Sequence, residues 1–408
     1  MHRSFVAAVA ALFACSAHAQ LYLQAELRSP QPEEDAAFGA TILDASNSMI
    51  VGAPATSAAG IPGVGAVYSF DRTDYAQAPA ELRPLQAIAH AAYGASLSGG
   101  GWAIVIGAPG GSDVANDPAP RGMVDSWNLG PAWVHYGTIS PPPSHTGTEF
   151  GRSVSYSNQA LVAGFPGRTD KGLEVGGAQV FYEQSGDWGY QGTISMFLGN
   201  NRFGEHVTSA GAATFVTDPT ESTVYYFDVF TTSGTLPKPT PGEDLTSFGS
   251  TVLYSTDVFV GTPYPRDFSG NPLPGRVYVY RFIPNQNYEL IGTITSPDAE
   301  PGDGFGASID QWGTEFAIGA PGATVANLPN AGAVWCMYDT GLAWVPARRL
   351  VSTRPQAEGR FGAALSWQYG SLGIGAPGET AAGVPRAGTA YVFAADSDVI
   401  FQGSFDYL

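Results

Sequence analysis

An aromatic-glycine pair recurs at nearly regular intervals along this 408-residue chain, at Phe38-Gly39, Tyr93-Gly94, Phe150-Gly151, Phe203-Gly204, Phe248-Gly249, Phe305-Gly306 and Phe361-Gly362. A second mark follows each pair: Gly52-Ala53-Pro54, Gly107-Ala108-Pro109, Gly164-Phe165-Pro166, Thr217-Asp218-Pro219, Gly261-Thr262-Pro263, Gly319-Ala320-Pro321 and Gly375-Ala376-Pro377. The offset between the marks is 13 residues in six copies and 12 in the fifth. Such constancy places the two marks on adjacent hydrogen-bonded strands, because a one-residue slip turns every side chain to the wrong face. Successive aromatic-glycine pairs lie 55, 57, 53, 45, 57 and 56 residues apart. Those intervals are long for a leucine-rich or ankyrin unit and suit four short strands with their loops.

The segments between the marks fit that reading. Strand two ends in the second mark, as in Met49-Ile50-Val51 or Phe316-Ala317-Ile318. Strand three is an aromatic alternation such as Val67-Tyr68-Ser69-Phe70, Val277-Tyr278-Val279-Tyr280 or Tyr391-Val392-Phe393. Strand four carries Gly-Thr-Ile in Gly137 to Ile139, Gly192 to Ile194 and Gly292 to Ile294. Runs of this length between Gly/Pro turns are antiparallel strands. One four-stranded sheet cannot bury both its faces alone, so seven of them stack radially. The expected fold is an all-β, seven-bladed β-propeller of four-stranded antiparallel blades.

Phe-Gly, Gly-Ala-Pro and Gly-x-Val-Tyr together resemble the FG-GAP repeats of the integrin α-subunit N-terminal propeller, and exported bacterial proteins with similar repeats. The resemblance covers residues 20–408. It implies that the strand 4-to-1 and 2-to-3 loops share one face, the face on which integrins meet partners. Calcium-binding members carry an Asp-rich loop between strands one and two, and this chain departs from them there. Its stretches, such as Asp44 to Ser48, Ser157 to Gln159 and Asp310 to Gly313, hold at most one carboxylate each. Calcium takes six to eight oxygen ligands, so no cofactor is expected and calcium binding is not carried over. The fourth copy is the shortest, and only Asp218 to Ser222 separates its second mark from strand three.

His2-Arg3, the apolar run Phe5 to Phe13 and the small-x-small Ala17-His18-Ala19 read as a signal peptide over residues 1–19. The domain is then 20–408, secreted or periplasmic, with lipid anchoring at Cys15 as the alternative. No other segment has the ~20 apolar residues of a membrane span. Only Cys336 remains after such cleavage, which excludes an intrachain disulfide. A formal net charge of -18, with Lys171 and Lys238 the only lysines, argues against nucleic acid as a partner.

Two segments compete for the fourth strand of the last blade: Tyr22 to Pro30, and Ile400 to Phe405. The first is preferred, as the usual way to close a propeller, and the second stays open.

Nothing in the residues assembles an enzyme. His90, His135, His145 and His206 form no His-x-His or His-x-x-x-His pair. There is no Gly-x-Ser-x-Gly elbow and no phosphate loop. The carboxylates Glu33-Glu34-Asp35, Glu243-Asp244 and Asp298/Glu300/Asp303 all precede an aromatic-glycine mark and read as a solvated rim. On an acidic protein the basic exceptions after the second mark, Arg168, Lys171, Arg266 and Arg386, are the candidate partner contacts. The favoured function is an exported, non-enzymatic binding or adhesion-like scaffold meeting a protein or surface glycan. A structural role in the cell envelope, and a hydrolase or lyase using loop carboxylates on polysaccharide or lipid, are the alternatives.

Overall fold

A computed structural model describes residues 20–395 apart from 46, 101–102, 116, 131, 142–145, 171, 185–186, 196–201, 211–212, 229–232, 240–242, 246, 268 and 285–286. The proposed leader and the C-terminal segment Ile400 to Phe405 therefore lie outside the described residues. Among those described there is no α-helix, and no helix long and apolar enough to cross a membrane. Seven four-stranded antiparallel sheets form a seven-bladed β-propeller.

Blade 1 runs Thr41–Ala45, Ser48–Ala53, Ala66–Asp71 and Ala80–Leu82, from the axis outward. Blades 2, 5 and 6 span residues 96–139, 251–295 and 308–350 in the same order of strands, and blade 3 runs Val154–Ser157, Ala160–Gly164, Ala178–Gln184 and Asp187–Ile194. Blade 4 is the slight one, with Val207–Ala210, Ala213–Asp218, Thr223–Asp228 and a fourth strand of only Ser233–Thr235. Blade 7 contributes Ala364–Gln368, Ser371–Ala376 and Thr389–Ala395, and its fourth strand is the N-terminal Leu21–Leu27. Leu21 pairs with Ala395 and Leu27 with Ala390, so the N-terminal strand closes the ring.

The two marks meet as their offset requires. In every blade the first-mark glycine N–H donates to the carbonyl of the residue that opens the second mark. The bonds run Gly39 to Gly52, Gly94 to Gly107, Gly151 to Gly164, Gly204 to Thr217, Gly249 to Gly261, Gly306 to Gly319 and Gly362 to Gly375, at 2.9–3.1 Å. All seven first-mark glycines have φ between 83° and 99°, a region that residues with a β-carbon disfavour. The aromatics beside them are each fully buried. Phe38, for example, packs between Tyr68 of its own blade and Val392 of blade 7.

The second-mark glycine serves the next blade. A β-carbon on Gly107, Gly164, Gly261, Gly319 or Gly375 would overlap the carbonyl oxygen of Gly151, Gly204, Gly306, Gly362 or Gly39. Adjacent blades thus touch backbone to backbone near the axis. Hydroxyls reinforce the contact: Thr41 donates to Gly94 O at 2.7 Å, Ser96 to Gly151 O at 2.8 Å and Ser308 to Gly362 O at 2.7 Å. Blade 4 departs from this pattern. Its Thr217 is buried, and its Oγ1 accepts the His206 amide at 3.1 Å.

The short offset of blade 5 also has a local cause. Blade 1 pairs five residues on each side of a two-residue turn, whereas blade 5 pairs four around Ser255-Thr256-Asp257. Losing one pair and gaining one turn residue removes one residue. The Gly-Thr-Ile glycine has a reason as well. In blades 2, 3 and 5 the register shifts immediately before it, a β-bulge that bends the outer strand.

If Leu21–Leu27 closes the ring, deleting residues 20–29 removes a whole strand and buried Leu27. The expected loss is on the order of 5–10 kcal/mol. In a chain this long, that lowers the melting temperature by at least about 5 °C. An unchanged calorimetric melt would show that another segment closes blade 7.

Candidate functional site

The loops after Gly-Ala-Pro and the loops entering the next aromatic-glycine mark lie together on one face. Their backbones are bonded across each interface from blade 6 round to blade 3. The Glu358, Arg360 and Phe361 amides donate to Pro329, Asn330 and Ala331, and those of His90, Ala92 and Tyr93 to Pro62, Gly63 and Val64, all at 2.9–3.0 Å. Phe38 N donates to Ala387 O and Phe150 N to Arg121 O, both at 3.0 Å. Blades 1, 6 and 7 repeat one loop form: a tight turn centred on Ala59-Gly60, Ala326-Asn327 and Ala382-Gly383, each with both residues at positive φ. In blades 3 and 5 the two loop types pair instead as small sheets, Thr146–Thr148 with Gly167–Asp170, and Glu243–Asp244 with Arg266–Asp267.

The four basic residues singled out from sequence have different fates on this face. Arg168 is buried at 7% exposure, and its Nη1 donates to Gly176 O at 3.2 Å, which turns its guanidinium away from solvent. Lys171 lies outside the described residues. Arg266 is exposed and donates to Gly270 O at 2.8 Å within its own loop. Arg386 is exposed and forms a bidentate pair with Asp35, tying the blade 7 loop to the one entering blade 1. Asn330 Nδ2 and Glu358 make the equivalent tie at 2.8 Å one interface earlier.

Sequence reading passed over the residues that do converge here. A cavity of about 260 Å³ opens on the loop face over blades 5 to 7, lined by Tyr264, Asn330, Arg360 and the backbone of Gly302 and Gly322. Arg360 is exposed and held at φ 58° by its amide bond to Asn330 O. Tyr264 packs its hydroxyl against Gly304, where a β-carbon would stand 2.6 Å away. A guanidinium, a carboxamide and a phenol in one concavity can receive a carboxylate or another polar acceptor. The signal in the sequence was an arginine directly before an aromatic-glycine mark, masked by its neighbour Glu358.

The acidic residues of this face serve the fold. Glu33 accepts the Ser57 amide at 2.8 Å. Asp303 is buried and accepts the Phe305 and Glu300 amides at 3.2 and 3.3 Å, with burial raising its pKa. Asp298 accepts Trp335 Nε1 at 2.9 Å and pairs with Arg349 at 3.1 Å. The histidines are likewise dispersed. Burial lowers the pKa of His206, His135 stands 3.3 Å from Asp125, His90 sits in the loop belt, and His145 lies outside the described residues. Cys336 is buried, its thiol pushed up to about 12. Among the described residues no three His, Cys, Asp or Glu side chains form a group that could hold a metal.

Near the axis, at the hairpin end opposite the loops, two carboxylates are strongly perturbed. Burial pushes Asp44 up to about 7, with Arg72 at 3.0 Å opposing and the Asp310 charge adding to the rise. Burial pushes Asp310 up to about 6, although it accepts the Trp367 and Gln311 amides at 2.6 and 2.8 Å. Shifts of this kind mark catalytic groups elsewhere. Here both residues bond blades to one another: Asp310 reaches blade 7, and Arg72 continues from Asp44 to Ser371 at 2.7 Å.

No family model matches the chain, and no curated protein matches it in sequence. Among solved structures it is similar to a chain of one described as "Crystal Structure of Mitotic Checkpoint Complex". The TM-score is 0.57 at 10% identity, over 97% of this chain and 98% of that one. At that identity the likeness concerns the fold alone.

Both perturbed carboxyls lie above the ordinary value of 3.8, so the folded chain holds protons that the unfolded chain releases. Their contribution is greatest below about pH 4 and is lost as pH rises to about 7. Between pH 5 and pH 8, Asp44→Asn should gain about 2 kcal/mol relative to the wild type in denaturant unfolding. A difference independent of pH would contradict the raised value.

Proposed function

We propose that this chain is an exported, non-enzymatic binding scaffold related to the FG-GAP repeat proteins, with residues 1–19 as its leader and 20–408 as its working domain. The supporting observation is the loop face. Loops from most blades are bonded backbone to backbone into one preorganised surface, and that surface holds a concavity with Arg360, Tyr264 and Asn330 at its rim. Preorganised loops lose little entropy on binding, and arginine and tyrosine are the side chains that most often anchor a contact. The partner is a protein or surface glycan that presents carboxylate or other acceptor groups to Arg360.

Retention of an envelope or culture-medium component by immobilised residues 20–408 provides the test. Arg360→Ala and Tyr264→Ala should each weaken retention about tenfold or more, the range of interface anchors. Arg266→Ala, whose side chain is engaged within its own loop, should change it less. Equal recovery by all variants would exclude this part of the loop face as the contact.

The hairpins between strands one and two carry isolated carboxylates, and Asp44 and Asp310 are already engaged by Arg72 and by backbone amides. Calorimetric titration with calcium is therefore expected to show no tight stoichiometric sites. Several such sites would return the chain to the calcium-binding form of the repeat.

A further inference from the structure

In every blade the residue after the first-mark glycine donates its amide to the carbonyl of the residue before the aromatic. The bonds run Ala40 to Ala37, Ala95 to Ala92, Arg152 to Glu149, Glu205 to Arg202, Ser250 to Ser247, Ala307 to Gly304 and Ala363 to Arg360, at 3.0–3.2 Å. This turn brackets the aromatic-glycine pair, so the two flanking positions are equivalent all round the ring. Arginine stands before the aromatic in two blades, as Arg202 in blade 4 and Arg360 in blade 7. One shows what the other lacks.

In blade 4 the chain supplies the arginine with carboxylates. Arg202 donates to Glu149, its counterpart in blade 3, at 2.5 Å, and to Glu205 across its own turn at 2.9 Å. Arg152 completes the group by donating to Glu205 at 2.9 Å. In blades 6 and 7 the counterparts of Glu149, Arg152 and Glu205 are Gly304, Ala307 and Ala363. Among the described residues no carboxylate is ion-paired with Arg360, and Glu358, the nearest in sequence, is engaged by Asn330. The cavity of about 260 Å³ lies where those side chains are missing: Arg360 and Ala363 line it together, and Tyr264 closes it beside Gly304.

We propose that this cavity is the seat of a glutamate side chain presented by a partner protein, which takes beside Arg360 the place that Glu149 and Glu205 take beside Arg202. The inference rests on the loop face being the binding surface and names the group that enters it. The cavity falls below the range of pockets for whole small molecules, roughly 300–1,000 Å³, and so suits one side chain. A glutamate carboxylate arrives on a slim methylene stem, whereas the carboxylate of a uronic acid brings a sugar ring in with it. Arg360 offers a planar fork of donors matched to a carboxylate. On a chain of net charge -18 an unpaired guanidinium is also a local point of attraction for such a group.

The test titrates residues 20–408 with N-acetylglutamate α-amide, its glutamine analogue and methyl glucuronide, read by saturation-transfer NMR. The glutamate probe should bind saturably, more tightly than the glucuronide and at least about tenfold more tightly than the glutamine analogue, which lacks the charged acceptor. Ala363→Glu installs the carboxylate that Glu205 gives Arg202. It should occupy Arg360 from within and abolish binding. Should that variant fail to fold, Arg360→Gln removes the charge at similar length and must abolish binding equally. No saturation by the glutamate probe, equal affinity for its glutamine analogue, glucuronide binding as tight or tighter, or undiminished binding by either variant would overturn the proposal. Each of those results leaves the loop face as a contact surface to be judged separately, by partner retention in Arg360→Ala and Tyr264→Ala.

Discussion

The bond from the first-mark glycine amide to the carbonyl opening the second mark is the interaction on which the rest of the molecule rests. It joins strands one and two where they leave the loop face, and it requires a backbone with positive φ in all seven copies. That conformation buries the adjacent aromatic between blades. It also turns the glycine's own carbonyl toward the preceding blade, against a second-mark residue that is glycine in every copy but the fourth. Two glycines thus set both the geometry within a blade and the distance between blades. Pro follows as strand two leaves the ladder, where no amide is needed.

Most of this was legible because it repeats. Seven copies of the offset located the bond, and the aromatic-rich third strands located the blades. The weak fourth copy was legible as an irregularity but not in its consequence. Thr217 supplies a hydroxyl where a glycine was expected, and Asp218 closes a tight turn by accepting the Thr220 amide at 3.0 Å. At Asn158-Gln159 a two-residue hairpin joins strands one and two, with both residues at positive φ.

The loop face was harder to read, for a physical reason. A loop arginine reads as solvent-exposed, yet the loops here are packed on one another. Arg168 folds inward to a backbone carbonyl and Arg386 is neutralised by Asp35, while Arg360, one position before an aromatic-glycine mark, stays open. The partners are not local in any one sense: Arg168 meets Gly176 within its own loop, whereas Arg386 meets Asp35 from the opposite end of the chain.

Ring closure by the N-terminal strand has a consequence for the order in which the molecule assembles. Leu21 to Leu27 are the first described residues made and pair with nearly the last, Ala390 to Ala395. Until the seventh blade exists, the opening strand has no partner and the exposed side of blade 1 has no neighbour. Contacts this distant in sequence make folding slow and leave strand edges exposed meanwhile. Assembly of the ring therefore belongs to the completed chain, and a truncated one keeps two unsatisfied sheet surfaces available for aggregation.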